Sequence, residues 1–118
     1  MRSFDLSYDA EDDFLEVTFA VFDENMSRTV ALNDHILLFT DLGLQAVWGI
    51  TFYSYARLLG VSETDMTALR SLPQAQIDSI LSLLSKPPAR LFFDITDPEG
   101  LIARIEAPSI HRLLDDEP

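Results

Sequence analysis

The sequence predicts an α+β domain: an antiparallel β-sheet from the N-terminal half, central helices, then a C-terminal β-hairpin and a short helix. Three observations carry this reading. Apolar residues in roughly the first 55 positions recur with period two, which is the strand period. Ile77, Ile80, Leu81 and Leu84 recur at i, i+3, i+4 and i+7, which is the helix period. Asp97-Pro98-Glu99-Gly100 separates two short apolar runs and has the chemistry of a hairpin turn.

The elements follow in order. Phe4, Leu6 and Tyr8 alternate with Asp5 and Ser7, and the acidic stretch from Asp9 to Asp13 makes a turn. Phe14 to Phe22 is a second strand, with Leu15, Val17, Phe19 and Val21 on one face. Asp23-Glu24-Asn25 turns the chain into Arg28–Leu32. Asn33-Asp34 breaks that strand before Ile36–Thr40, and Asp41-Leu42-Gly43 leads into a strand over 44–53. Turns this short make consecutive strands antiparallel. Ser62, with Asp65 three residues on, reads as a helix N-cap. Ser71-Leu72-Pro73-Gln74 repeats that signal for a helix over 72–85, stopped by Pro87-Pro88. A hairpin follows over 90–106, and Ser109 caps a last short helix carrying Ile110, Leu113 and Leu114. The expected organisation is a single domain over 1–118: a sheet at 4–56, a helical segment at 62–86, and the hairpin with its helix at 90–114.

Composition excludes several classes. The chain has 118 residues, 47% of them hydrophobic and 24% charged, which is globular rather than disordered or fibrous. Twenty acids against 8 bases give a net charge of −12. Nucleic-acid binders need clustered cations to release phosphate counterions. Here Lys86 is the single lysine and the arginines are scattered, so neither nucleic acid nor an anionic membrane is an expected partner. Apolar runs of about four residues fall far short of a membrane span. There is no cysteine, so disulfides, thiolate zinc sites and thiol catalysis drop out. Met1 to Asp13 carries one Arg and no apolar core of a leader, so a cytoplasmic location is expected.

Residues 36–59 and 91–114 echo each other. Each runs apolar strand, Thr-Asp, Gly-Leu, strand, Ser, then Arg-Leu-Leu: Thr40-Asp41, Gly43-Leu44, Ser54 and Arg57-Leu58-Leu59 against Thr96-Asp97, Gly100-Leu101, Ser109 and Arg112-Leu113-Leu114. The echo speaks to fold, not to chemistry.

Tyr8-Asp9 followed by Asp13-Phe14-Leu15-Glu16-Val17 has the spacing Y-D-x-x-x-D-x-L-x-[IV]. Thr29-Val30, Asp34, Ile36–Thr40, Asp41, Gly43 and Val47-Trp48-Gly49-Ile50 continue the pattern. In these positions the chain resembles the DUF2283 family of small bacterial and archaeal domains, over about residues 4–56. It departs at Thr51, where an acid is common, and at the short Asp41-Leu42-Gly43 turn. The resemblance implies a small β-rich domain with a helix, and it carries over no catalytic residue.

No constellation in the sequence specifies chemistry. Counted from Asp9, the sixth and twelfth positions of a calcium loop hold Phe14 and Ala20 instead of Gly and Glu. Asp9 and Asp13 are therefore expected to bind turn amides, with no metal. His35 and His111 form no paired zinc motif, and no other cofactor motif stands out. The expected function is a non-catalytic protein-interaction module that forms a homodimer and has the charge to receive a basic protein partner. The charge and the aromatic segment Trp48, Phe52, Tyr53 and Tyr55, taken as the candidate interface, motivate it. The dimer expectation rests on large apolar groups on both faces of strands 14–22 and 44–55, more than one helix can cover. The alternative is a small-ligand binder or an enzyme that uses scattered carboxylates with His35, joined by Asp34 or Asp41.

Overall fold

The computed structural model describes residues 5–20 and 23–107. Five strands come first: β1 (Asp5–Asp9), β2 (Phe14–Thr18), β3 (Ser27–Asn33), β4 (Ile36–Asp41) and β5 (Val47–Tyr53). They form one sheet in the order β1-β2-β5-β4-β3, with every pairing antiparallel. The chain continues through α1 (Tyr55–Leu59), β6 (Thr64–Asp65), a 3-10 turn (Thr67–Ser71) and α2 (Gln74–Leu84). A second 3-10 turn (Ala89–Leu91) then leads to β7 (Phe93–Asp97) and β8 (Ile102–Ile105). A small second sheet has the order β6-β8-β7, also antiparallel. The mixture of helix with antiparallel sheet is the α+β class that the two periods predict.

Register explains the core. Leu6, Val17, Ile50, Leu38 and Val30 lie opposite one another across the five strands. Tyr8, Leu15, Phe52 and Ile36 make the next row on the same face. Period two sends all of these side chains to one side. There they meet Phe92 and Phe93, whose rings lie 5.8 and 5.7 Å from that of Phe52. Met66, Leu69, Ile80, Leu84 and Ala103 are fully buried in the same cluster. The second layer therefore covers one face of the large sheet.

The helical expectations need correction. No helix starts at Ser62: Thr64 and Asp65 pair with Ala103 and Ile102 as a strand, so long-range pairing overrides a local capping signal. Asp65 serves the chain turn just beyond that strand, where its carboxylate accepts the Thr67 amide and hydroxyl. The Ser71 hydroxyl bonds back to the Ala68 carbonyl instead of capping α2, and Pro73 leads into that helix. Ile77, Ile80 and Leu84 are buried as the stripe predicts, while Leu81 is only partly buried. The stripe packs on β7 and the second 3-10 turn more than on the large sheet. Arg28 of β3 reaches α2 through a 2.6 Å hydrogen bond to Gln76 Oε1. The strand expected over 14–22 ends at Thr18, and the helix expected after Ser109 lies outside the described residues.

The echo between the two hairpins recurs in the backbone. Leu44 and Leu101 both have φ of 57°, in the left-handed region, and both side chains are buried. The glycines before them do not: no described glycine has positive φ. A Cβ at Gly100 would press on the exposed Asp97 carboxylate, which would have to turn aside from the Gly100 amide that its Oδ1 accepts at 3.0 Å. No described helix is long and apolar enough to cross a membrane.

Candidate functional site

The face of the large sheet opposite the core can be read off in three rows. Asp9, Phe14 and Tyr53 lie opposite one another, the last two with ring centroids 5.1 Å apart. The second row is Ser7, Glu16, Thr51, Leu37 and Ala31, and the third is Asp5, Thr18, Gly49, Phe39 and Thr29. Asp5, Ser7, Asp9, Glu16, Thr29, Ala31 and Tyr53 are exposed. Gly49 leaves a gap in the third row. Around it a groove of about 440 Å³ is lined by Glu16, Thr18, Thr29, Phe39 and Thr51. Three carboxylates stand in these rows and no lysine or arginine does, because Arg28 points with Val30 to the core side.

Of the four aromatic residues expected at an interface, two are placed in the core. Phe52 is 0% exposed. Tyr55 is 8% exposed, and its hydroxyl donates to the Glu106 carbonyl at 2.9 Å. Neither offers surface to a partner while the chain stays folded. Tyr53 is 44% exposed on the open face. Trp48 is half-buried, and its carbonyl accepts the Phe19 amide at 2.8 Å. The pairing slips at this point, with Gly49 opposite Phe39 and Val47 opposite Thr40. That bulge turns Val47 inward, against the strict alternation that assigns it to the other face.

The acidic turn is structural. Asp9 Oδ1 accepts the Glu11 and Asp12 amides at 3.0 and 3.4 Å, as the turn reading expects. Asp13 reaches further: its carboxylate accepts the Ala56 amide at 2.8 Å, the Arg57 amide at 3.4 Å and the Tyr8 hydroxyl at 2.7 Å. It thus caps α1 from another hairpin. The Ala56 amide first, and the Tyr8 hydroxyl next, hold its carboxyl below the ordinary value. The shared proton in turn raises Tyr8. The sequence marks Asp13 only as a turn residue. Its distant partners follow from the packing of α1, which sequence reasoning missed.

His35 lies beside an open groove of about 540 Å³ bordered by Asn33, Asp34, Glu63, Asp65 and Thr67. Asn33 ties its two walls: its Oδ1 accepts the His35 amide at 2.7 Å, and its Nδ2 donates to the Asp65 carbonyl at 2.7 Å. The Asp65 carboxyl is held low, chiefly by the Thr67 hydroxyl. Asp41 is not part of this group. It sits at the far end of β4, where its Oδ1 accepts the Gln45 and Ala46 amides at 2.6 and 2.9 Å. Among the described residues no three acids or histidines cluster as metal ligands.

Comparison with protein-family models, curated proteins and solved structures returns no match.

Proposed function

We propose that the chain is a non-catalytic protein-interaction module whose open sheet face receives a basic polypeptide partner. One observation carries the reading: Asp5, Asp9 and Glu16 share that face with the half-buried Phe14 and the exposed Tyr53, and among the described residues no lysine or arginine stands in the same rows. An acidic surface with an aromatic centre attracts a basic partner from a distance and holds its aliphatic stems at contact. The net charge of −12 adds to the steering.

A second copy fits this face less well, since it brings three more carboxylates and, in the described rows, no cation to pair with them. The demand for a second copy is also smaller than the apolar strands suggest, because threonines and Glu16 occupy much of the uncovered face. The small-ligand or enzyme reading through His35 has less support: of the acids bordering its groove Asp65 is engaged by Thr67, and Asp41 stands apart at the far end of β4. The likeness to the DUF2283 family rests on the residues quoted for it. It belongs to this proposal as a β-rich scaffold without an assigned reaction.

The test is a titration of the ¹⁵N-labelled chain with a Lys/Arg-rich peptide at two salt concentrations. Shifts centred on Glu16, Thr51 and Tyr53, weakening with salt, are expected. Glu16→Lys is expected to lower affinity at least tenfold, while Glu99→Lys, the same charge change on the β7–β8 turn, changes it little. Equal losses in the two variants mean diffuse charge attraction and overturn the reading.

A further inference from the structure

The β1 edge of the large sheet has a composition that selects its occupant. β1 is an end strand, paired with β2 alone among the described residues, and all five of its residues are exposed. An end strand presents unpaired amide and carbonyl groups along its free side. On the core side, the row Leu6, Val17, Ile50, Leu38, Val30 runs off this edge unfinished. Leu6 is 48% exposed while the other four are at most 5% exposed. Tyr8 ends the neighbouring row at 49% exposed, held in place by its bond to Asp13 and by an edge contact with the Tyr55 ring at 6.5 Å. On the open side the same strand carries Asp5, Ser7 and Asp9.

We propose that β1 accepts a sixth strand from a basic protein. Its pattern is cation, apolar, any residue, apolar, cation. This rests on the wider reading of the chain as a receiver of a basic partner and gives that partner a binding mode. A strand added about 4.8 Å from β1 alternates its side chains over the two faces. Two apolar residues then continue the rows of Leu6 and Tyr8. The cations flanking them fall beside Asp5 and Asp9, where opposite charges across strands are favourable. The same geometry rejects a second copy: antiparallel self-pairing of Asp5–Asp9 sets Asp5 against Asp9 twice, and like charges directly opposite are destabilising. The flanking acids thus guard the edge against this chain and mark it for a basic one.

The experiment compares a blocked peptide containing Lys-Val-Thr-Val-Lys with the scramble Val-Val-Thr-Lys-Lys of equal charge, using fluorescence anisotropy and amide hydrogen exchange on the full chain. The ordered peptide is expected to bind at least tenfold tighter and to slow exchange at alternate amides of β1. Leu6→Lys and Asp5→Lys, both at exposed positions, are each expected to weaken it at least tenfold with the free chain's melting temperature nearly unchanged. Equal binding of both peptides, with exchange slowed around Glu16 and Tyr53 and not along β1, overturns strand addition and leaves the wider reading standing. Binding of neither overturns both. A dimer of the free chain with the β1 amides already protected gives the edge to a second copy and overturns the proposal.

Discussion

Replacing Leu101 by Gly and by Ala tests the left-handed turn directly. The Leu101 side chain is 3% exposed, and its backbone has φ of 57°. Truncating a buried leucine to alanine costs about 2–5 kcal/mol. Both variants lose that side chain, so their difference isolates the backbone. In a strand, Gly is less stable than Ala by about 0.5–1 kcal/mol because the unfolded chain gains freedom. In the left-handed region an L-residue carries a strain of about 1–2 kcal/mol that Gly avoids. The strain outweighs the entropy, so Leu101→Gly is expected to be more stable than Leu101→Ala by roughly 0.5–1 kcal/mol. Leu44, also at φ 57° and 7% exposed, repeats the test in the other hairpin. Ala103→Gly in β8 is the control with the ordinary order, a loss of about 1–2 kcal/mol, since the entropy cost of Gly adds to the loss of a buried methyl. Urea unfolding at 25 °C with equal m-values reads all of these. If Gly falls below Ala by about 0.5 kcal/mol or more at both leucines, the shared turn geometry is wrong.

The other predictions concern the core and its titrating groups. Leu84→Ala, at a fully buried position, is expected to cost about 2–5 kcal/mol, and Leu81→Ala, partly buried, about 1 kcal/mol. Reversal of that order in urea melts would rotate α2 on the second layer. The amides of Ala46 and Gln45 hold the Asp41 carboxyl below its ordinary 3.8. Its contribution is complete above that value and is lost as pH falls through the lowered one, so Asp41→Asn is expected to show a shallower acid decline below about pH 4. Identical slopes in the two proteins would refute this. Burial pushes the Tyr55 hydroxyl up to about 12 from 10.0. Its contribution is complete below pH 10.0 and declines as pH rises towards about 12. In a spectrophotometric titration Tyr55 is expected to ionise last of the three tyrosines, together with unfolding. Early ionisation of all three refutes its placement.

Much of the fold is legible in the sequence because period two and period 3.6 report directly on which side chains face the core. Leu15 and Val17 share a face as expected, as do Ile50 and Phe52, and all four are buried. Legibility ends where a long-range contact decides a local choice. Thr64 and Asp65 carry a helix-start signal and become a strand because β8 needs a neighbour. Val47 belongs to the outer face by counting and to the core by the bulge beside Gly49. Phe52 and Tyr55 look like spare aromatic surface until a second layer with Phe92 and Phe93 arrives over them. Asp13 reads as a turn residue because nothing local shows that residues 56 and 57 will offer it their amides.

The candidate site was less legible than the fold for a reason of symmetry. A count of charges gives −12 for the whole chain and says nothing of sidedness. Sidedness needs the register of β1 on β2 and of β2 on β5, which sets Asp5, Asp9 and Glu16 on one face and Leu6 and Tyr8 on the other. A slip of one residue would put the acids over the core and the apolar pair among the carboxylates. Burial of Leu15 and Val17 forbids that slip, since Glu16 would have to enter the core unpaired. The hydrophobic rows that stabilise the sheet therefore also fix where its charge is displayed. The same register leaves the last member of each row, Leu6 and Tyr8, uncovered beside a line of acids at the β1 edge.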